Sequence, residues 1–222
     1  MRKFNNGFTL AEVLITLLII GVISSIVIPG LINNTQKAEY QTAWAKAFSD
    51  ISNAHKMIKI DNSIPYSSYP LFFPDIEKHL SYTKKCTNAS SEGCWHKINE
   101  WKTFGDIKVN QTMDYNGYIL NNGMLIGFSP MSYYLYASSP LIGTDIGMLA
   151  FIDVNGFKKP NKVGVDIFAV EILGNRVVCE GSPNSLYDLA TNSGQYCDKN
   201  NTQTFKEFGA GCSLKALMKQ DY

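Results

Sequence analysis

A single carboxylate, Glu12, sits inside an otherwise apolar run from Phe8 to Ile28. A carboxylate within a membrane-length helix costs several kcal/mol unless it is paired or neutralised, and such residues are usually functional. Glu12 lies four residues after Phe8, about one helical turn. The seven residues before Phe8 read MRKFNNG, with positive charge at Arg2 and Lys3 and glycine at Gly7. A cut between Gly7 and Phe8 would expose a new amine at Phe8. In a stack of identical helices, that amine on one chain can neutralise Glu12 on its neighbour. The plainer alternative is a single-pass anchor whose Glu12 snorkels toward the headgroups.

A second constellation reads Asp153-Val-Asn155-Gly156 and continues through Asn161 to Asp166. Oxygen side chains at alternating positions before a glycine are how calcium loops are built, because calcium takes six to eight oxygens and the chain must turn sharply. Only Asp153 and Asn155 keep the alternation, and no glutamate closes the shell as in an EF-hand. Asp153, Asn155 and Asp166 are the candidate ligands, with backbone carbonyls completing the shell. The competing reading is a set of Asx turns between two strands.

These residues need elements to hold them. Phe8–Ile28 matches the roughly 20 apolar residues that cross a hydrocarbon core. It is too long for a signal-peptide core, and Pro29-Gly30-Leu31-Ile32 follows where an A-x-A site would stand. The basic end stays cytoplasmic, since Lys and Arg are retained on that side. Helical spacing then continues: Tyr40, Trp44, Phe48, Ile51, Ala54 and Ile58 fall on one face. One helix from Phe8 to about Lys59 is expected, roughly 80 Å long. Pro29 and Gly30 should bend it, because proline removes a hydrogen bond.

The stretch Gly7-Phe8-Thr9-Leu10-Ala11-Glu12-Val13-Leu14-Ile15 resembles the processing motif of type IV prepilins and type II secretion pseudopilins. Pro29 also matches a proline common in that family's N-terminal helix. The resemblance covers about the first 35 residues. It implies cleavage after Gly7 by a membrane prepilin peptidase, which also methylates the Phe8 amine. It further implies an inner-membrane subunit that packs with other pilin or pseudopilin subunits into a helical filament, its C-terminal part lying in the periplasm or outside the cell. The stretch from Asp153 to Phe168 also looks like one found in type II secretion system proteins. Some major pseudopilins bind calcium in a loop beside the sheet, which makes calcium the candidate cofactor. The implied fold is α+β and pilin-like, a long N-terminal helix laid on an antiparallel sheet. The expected organisation is a leader at 1–7, a membrane and filament-core helix at 8–32, its amphipathic continuation at 33–60, and a globular β-rich domain at 61–222.

The remainder of the chain agrees with a domain on a stalk. Of its 222 residues, 45% are hydrophobic, enough for one real core. The formal charge is +1 with 20 basic and 19 acidic residues, and loss of Arg2 and Lys3 leaves it slightly negative. Near-neutrality argues against nucleic-acid binding as the main task. Pro65, Pro70 and Pro74 mark a loop, and 75–80 reads as a short helix. Strands are expected at 118–120, 124–128, 133–137, 148–154, 165–172 and 176–178. Turn signals stand at Asn116-Gly117, Asn121-Asn122-Gly123 and Gly174-Asn175.

All five cysteines follow the membrane run, on the side where disulfides persist. Cys86 and Cys94 enclose a short loop and are the first candidate pair. Cys197 with Cys212 would close a C-terminal loop, as many relatives do, leaving Cys179 over; Cys179 with Cys197 stays open. A zinc site of Cys86, Cys94 and His96 lacks a second ligand pair at zinc-like spacing. His55, His79 and His96 form no H-E-x-x-H, and neither a G-x-S-x-G elbow nor a phosphate-binding loop occurs. The expectation is a non-enzyme: a secretion pseudopilin, with a surface or competence pilin, or a binding domain with a borrowed leader, as alternatives.

Overall fold

The structure is a computed structural model that describes residues 9–61, 75–129, 147–173, 176–183, 185, 197–198 and 209–220. Gly7, Phe8, the 133–137 strand and the Gly174-Asn175 turn lie outside the described residues. Helix α1 spans Leu10–Asp61 and runs on through Pro29 and Gly30. Residues up to Glu39 and residues from Tyr40 form two separate compact units.

In the first unit the apolar side chains of α1, such as Leu14, Leu18 and Ile26, are exposed. An 18-residue window of α1 has a mean hydropathy of 2.6, long and apolar enough to cross a membrane.

In the second unit, α1 buries Gln41, Trp44, Ala47, Ile51, Ala54, His55 and Ile58. This stripe is rotated slightly from the expected one: Tyr40 and Phe48 flank it, half-buried. Against it packs a six-stranded meander, every neighbouring pair antiparallel: β1 (Tyr82–Cys86), β2 (Gly117–Leu120), β3 (Leu125–Ser129), β4 (Gly147–Asp153), β5 (Ile167–Leu173) and β6 (Val177–Cys179). Side chains alternate across a strand. Met148, Ala150 and Ile152 of β4, with Phe168, Val170 and Ile172 of β5, therefore share a core with α1. Leu149, Phe151, Ile167 and Ala169 face the other way.

That second face is covered too. The irregular chain between β1 and β2 brings Ala89, Trp95, Trp101, Val109 and Met113 over it, beside Cys86 at the end of β1. Trp95 and Trp101 meet edge to face, centroids 5.8 Å apart. Burial on both sides explains why every residue of β5, IFAVEIL, is buried.

The strand β1 was not expected from the sequence. Its YTKKC pattern is exposed except at Cys86, so it carries no apolar alternation to read. Asn116-Gly117 is not a hairpin turn either: Gly117 is the first residue of β2. A side chain there would place Cβ 2.4 Å from Cβ of Ala89, so this glycine serves the close approach of the covering layer. The Asn121–Gly123 turn does join β2 to β3, closed by Leu120 N–H to the Met124 carbonyl at 2.9 Å. Disulfides join Cys86 to Cys94 and Cys197 to Cys212, and Cys179 is a buried free thiol. The second disulfide ties the short helix α2 (Cys212–Leu217) to the chain before it.

Candidate functional site

At the N-terminal end of α1 the first helical amides lack intrahelical partners. Thr9 and Glu12 satisfy two of the groups there reciprocally. The Thr9 N–H and hydroxyl each donate to Glu12 Oε2 at 2.8 Å, and the Glu12 N–H donates back to Thr9 Oγ1 at 3.3 Å. This is a capping box, whose sequence signature is Ser/Thr three residues before Glu/Gln. Thr9-Leu10-Ala11-Glu12 carried that signature, and it gives Glu12 a role within its own chain that the reading of it as an intermolecular charge alone had missed.

The second site lies between the end of β4 and the start of β5. The side chains of Asp153 and Asp166 are both fully buried. Asp153 Oδ1 accepts the Asn155 N–H at 3.0 Å. Asp166 accepts the N–H groups of Asn161 at 2.8 Å and Lys162 at 2.6 Å, which folds the loop back on itself. Val154 N–H donates to the Asp166 carbonyl at 2.9 Å, so the loop ends stay paired. Gly156 has φ +73, and a Cβ there would lie 2.5 Å from the Gly123 carbonyl oxygen; the turn needs glycine on both counts.

Sequence reasoning missed a partner. His96, from the covering layer, places Nε2 2.8 Å from Asp153 Oδ2. The Cys86–Cys94 disulfide and the direction of the His96 ring remove the zinc reading.

Burial pushes the Asp153 carboxyl up to about 7, and the Asp166 charge adds to the rise against the hydrogen bond from His96. Burial also raises Asp166, opposed by the amides of Lys162 and Asn161. Both groups thus sit where a positive charge would be favoured. Two further oxygens, Asn155 Oδ1 and Asn161 Oδ1, are buried without a hydrogen-bond partner. Orphaned buried oxygens are rare and costly. Among the described residues no group of three or more His, Cys, Asp or Glu could hold a metal ion. Carboxylate and amide oxygens are the ligand types calcium takes, and Asp153, Asn155, Asn161 and Asp166 carry the candidates.

A long helix opening on Thr-x-x-Glu and packed across an antiparallel meander is a pilin-like α+β fold. Residues 2–28 match the family described as Prokaryotic N-terminal methylation motif. The chain is similar to proteins named Type II secretion system core protein G. It is 45% identical to that of Vibrio cholerae over 67 residues, 29% of this chain and 42% of the relative. It is 42% identical to that of Aeromonas hydrophila over 65 residues, 28% and 43% of the two chains. With that of Escherichia coli K12 it shares 48% over 59 residues, 25% and 38%. The chain thus matches about two fifths of the length of these relatives. No solved structure matches it.

Proposed function

We propose that this chain is a pseudopilin subunit of a type II secretion system. It is cut after Gly7, methylated at Phe8 and assembled with other subunits into a helical filament that drives protein export. The observation that carries the reading is the methylation motif over residues 2–28, with Glu12 one turn into an apolar, membrane-length helix. Similarity to core protein G over the N-terminal segment favours secretion over a surface pilus. The role is structural, not enzymatic. The helix anchors the waiting subunit once through the inner membrane, with the domain on the periplasmic side. Its partners are the prepilin peptidase, which is also the methyltransferase, and the neighbouring subunits.

The test begins at the cut. A Gly7→Val variant is expected to remain unprocessed, heavier than the mature protein by the mass of Met1–Gly7, while the wild type shows a methylated Phe8 terminus by mass spectrometry. Normal mature mass in the variant would place the cut elsewhere. Deleting the gene should stop export of secreted proteins. A deletion strain that exports normally but loses surface filaments would overturn the secretion reading in favour of a pilus.

The Asp153–Asp166 loop would hold calcium through Asp153, Asn155, Asn161 and Asp166, and the ion would supply the positive charge that the two buried acids lack. Calcium is expected to raise the melting temperature of the detergent-solubilised protein, because a ligand that binds only the folded state stabilises it. Asp166→Asn should lose most of that rise. An equal rise in the variant would remove Asp166 from the site.

A further inference from the structure

We propose that Phe157, Lys158 and Lys159 form a foot on which the domain rests against an anionic lipid surface while the subunit waits in the membrane. The ring enters the headgroup layer and the two ammonium groups meet lipid phosphates. The inference rests on the reading of α1 as a membrane anchor and adds a second lipid contact, made by the domain itself.

The loop is placed by the elements it joins. It leaves β4 at Asp153 and enters β5 at Ile167. Trp44 of α1 stacks on Phe168, at the start of β5. His55, further along α1, meets the Leu173 carbonyl at the end of β5 at 2.8 Å. From Trp44 to His55 the helix rises about 16 Å, and from Phe168 to Leu173 the strand rises about the same. The two elements therefore run in one direction, and the β4–β5 loop lies at the end of the sheet where the domain's part of α1 begins. Direct bonds fix it there: Asn155 Nδ2 donates to the Tyr40 hydroxyl at 3.1 Å and to the Lys159 carbonyl at 3.3 Å. Ile60 stands at the opposite end, about 30 Å further along the helix than Tyr40. The stretch from Ile32, where the expected span ends, to Tyr40 is at most about 28 Å of chain. That tether keeps the Tyr40 end of the domain close to the bilayer, and its Lys37 and Glu39 cancel in charge.

The chemistry of the loop tip suits this neighbour. Phe157 is 51% exposed, the most exposed aromatic ring among the described residues. Its edge-on contact with His96, centroids 5.5 Å apart, supports the ring from one side. Lys158 and Lys159 are exposed beside it. Other lysines of the domain have carboxylate partners: Lys46 with Asp50, Lys78 with Asp75, Lys85 with Glu77, and Lys102 and Lys162 with Asp106. Lys158 and Lys159 have none among the described residues. Lys97, next to His96, adds charge, but Glu100 accepts its amide at 2.9 Å and offsets it. Two adjacent lysines make a poor track for a nucleic-acid backbone. A lipid surface asks for local positive charge and an apolar group that can enter it.

The experiment uses the full chain reconstituted in vesicles, in EDTA so that calcium cannot bridge loop and lipid. Phe157→Trp places a reporter at the tip, and Ile60→Trp places one at the far end of the domain. Trp44, Trp95 and Trp101 are buried and supply a background measured in the wild type. Brominated phosphatidylcholine in the bilayer quenches an indole that reaches it. In vesicles of phosphatidylglycerol and phosphatidylcholine, the Phe157→Trp emission is expected to shift to the blue and to be quenched, and the Ile60→Trp emission to do neither. Phosphatidylcholine alone should leave the tip in water. Lys158→Gln with Lys159→Gln, added to Phe157→Trp, should lower the ratio of docked to free loop about thirtyfold, about fivefold per lysine. High salt should act in the same direction. All the substituted side chains are exposed, so the fold tolerates them. A chain that stays in the vesicles after an alkaline wash but shows no quenching at the tip would overturn the inference alone. Equal quenching of both reporters, or quenching indifferent to phosphatidylglycerol and to the lysines, would do the same. So would a blue shift that follows the density of subunits and not the lipid, which would assign Phe157 to a neighbouring copy. Loss of the protein in the alkaline wash would overturn the anchor and the inference together.

Discussion

Glu12→Gln is expected to be cut and methylated like the wild type and yet fail to enter filaments. The substitution keeps the shape of the side chain and one acceptor oxygen. A Gln at this position still serves a capping box, so the local contacts with Thr9 can survive. What is lost is the negative charge. In the proposed filament that charge faces the methylated amine of a neighbouring Phe8 in a low-dielectric core. Removing one partner of a buried ion pair costs about 3–5 kcal/mol, because the other charge is left uncompensated. That loss recurs at every subunit contact, so incorporation should fall to near zero. Thr9→Val supplies the control. It removes the hydroxyl of the box at a cost of about 1 kcal/mol and leaves the Glu12 charge, so it should still assemble. The measurement is the ratio of filament-borne to membrane-borne subunit after overexpression, with N-terminal mass confirming processing. Equal incorporation of the Gln variant would discard the intermolecular pairing and leave Glu12 as a helix cap. Loss of incorporation in Thr9→Val alone would show the reverse: the cap, not the charge, limits assembly.

Legibility in the sequence tracked the physical signal each element carried. The helix α1 was readable because its apolar run and its buried face both repeat with a helical period, and its bounds shifted by only about two residues. The strands β2 to β6 were readable because turn residues punctuate them and their apolar content is high. The strand β1 carried no such signal: Tyr82 to Lys85 face solvent, and only pairing with β2 makes them a strand. The second buried face was hidden for a different reason. Trp95 and Trp101 stand in a stretch of no period, and an irregular segment gives no pattern from which its role as a lid over the sheet could be inferred. At the loop, the sequence named Asp153, Asn155 and Asp166 because alternating oxygens before glycine are a local pattern. It missed the buried, unpartnered Asn161 Oδ1 and the contact from His96. The His96–Asp153 contact spans 57 positions, and contacts that distant arise from the packing of layers, which spacing along the chain does not encode.

Trp44→Ala is expected to be the most destabilising single truncation in the globular unit. Trp44 is fully buried where three elements meet. Its ring stacks on Phe168 of β5 with centroids 5.1 Å apart and an interplanar angle of 24°. Its indole N–H donates to the Ser213 carbonyl in α2 at 2.9 Å. Ser213 in turn accepts the Ala169 N–H of β5 through its hydroxyl at 2.8 Å and donates to the Ala210 carbonyl at 2.6 Å. One side chain thus ties α1 to the sheet and to the helix that the Cys197–Cys212 disulfide anchors. Removing a buried tryptophan to alanine costs about 3–5 kcal/mol, and a shift of roughly 2–4 °C in melting temperature accompanies each kcal/mol in a domain of this size. A fall on the order of 10 °C in the full chain is therefore expected by thermal or urea unfolding. Trp44→Phe separates the two parts of that cost. It keeps most of the apolar ring against Phe168 but orphans the Ser213 carbonyl, a loss of about 1–3 kcal/mol. If Trp44→Phe proves as damaging as Trp44→Ala, the hydrogen bond to α2, not the packing on β5, is what holds the helix to the domain. If Trp44→Ala shifts unfolding by less than the Phe variant's expected loss, the three-element junction is not where the stability of this fold resides.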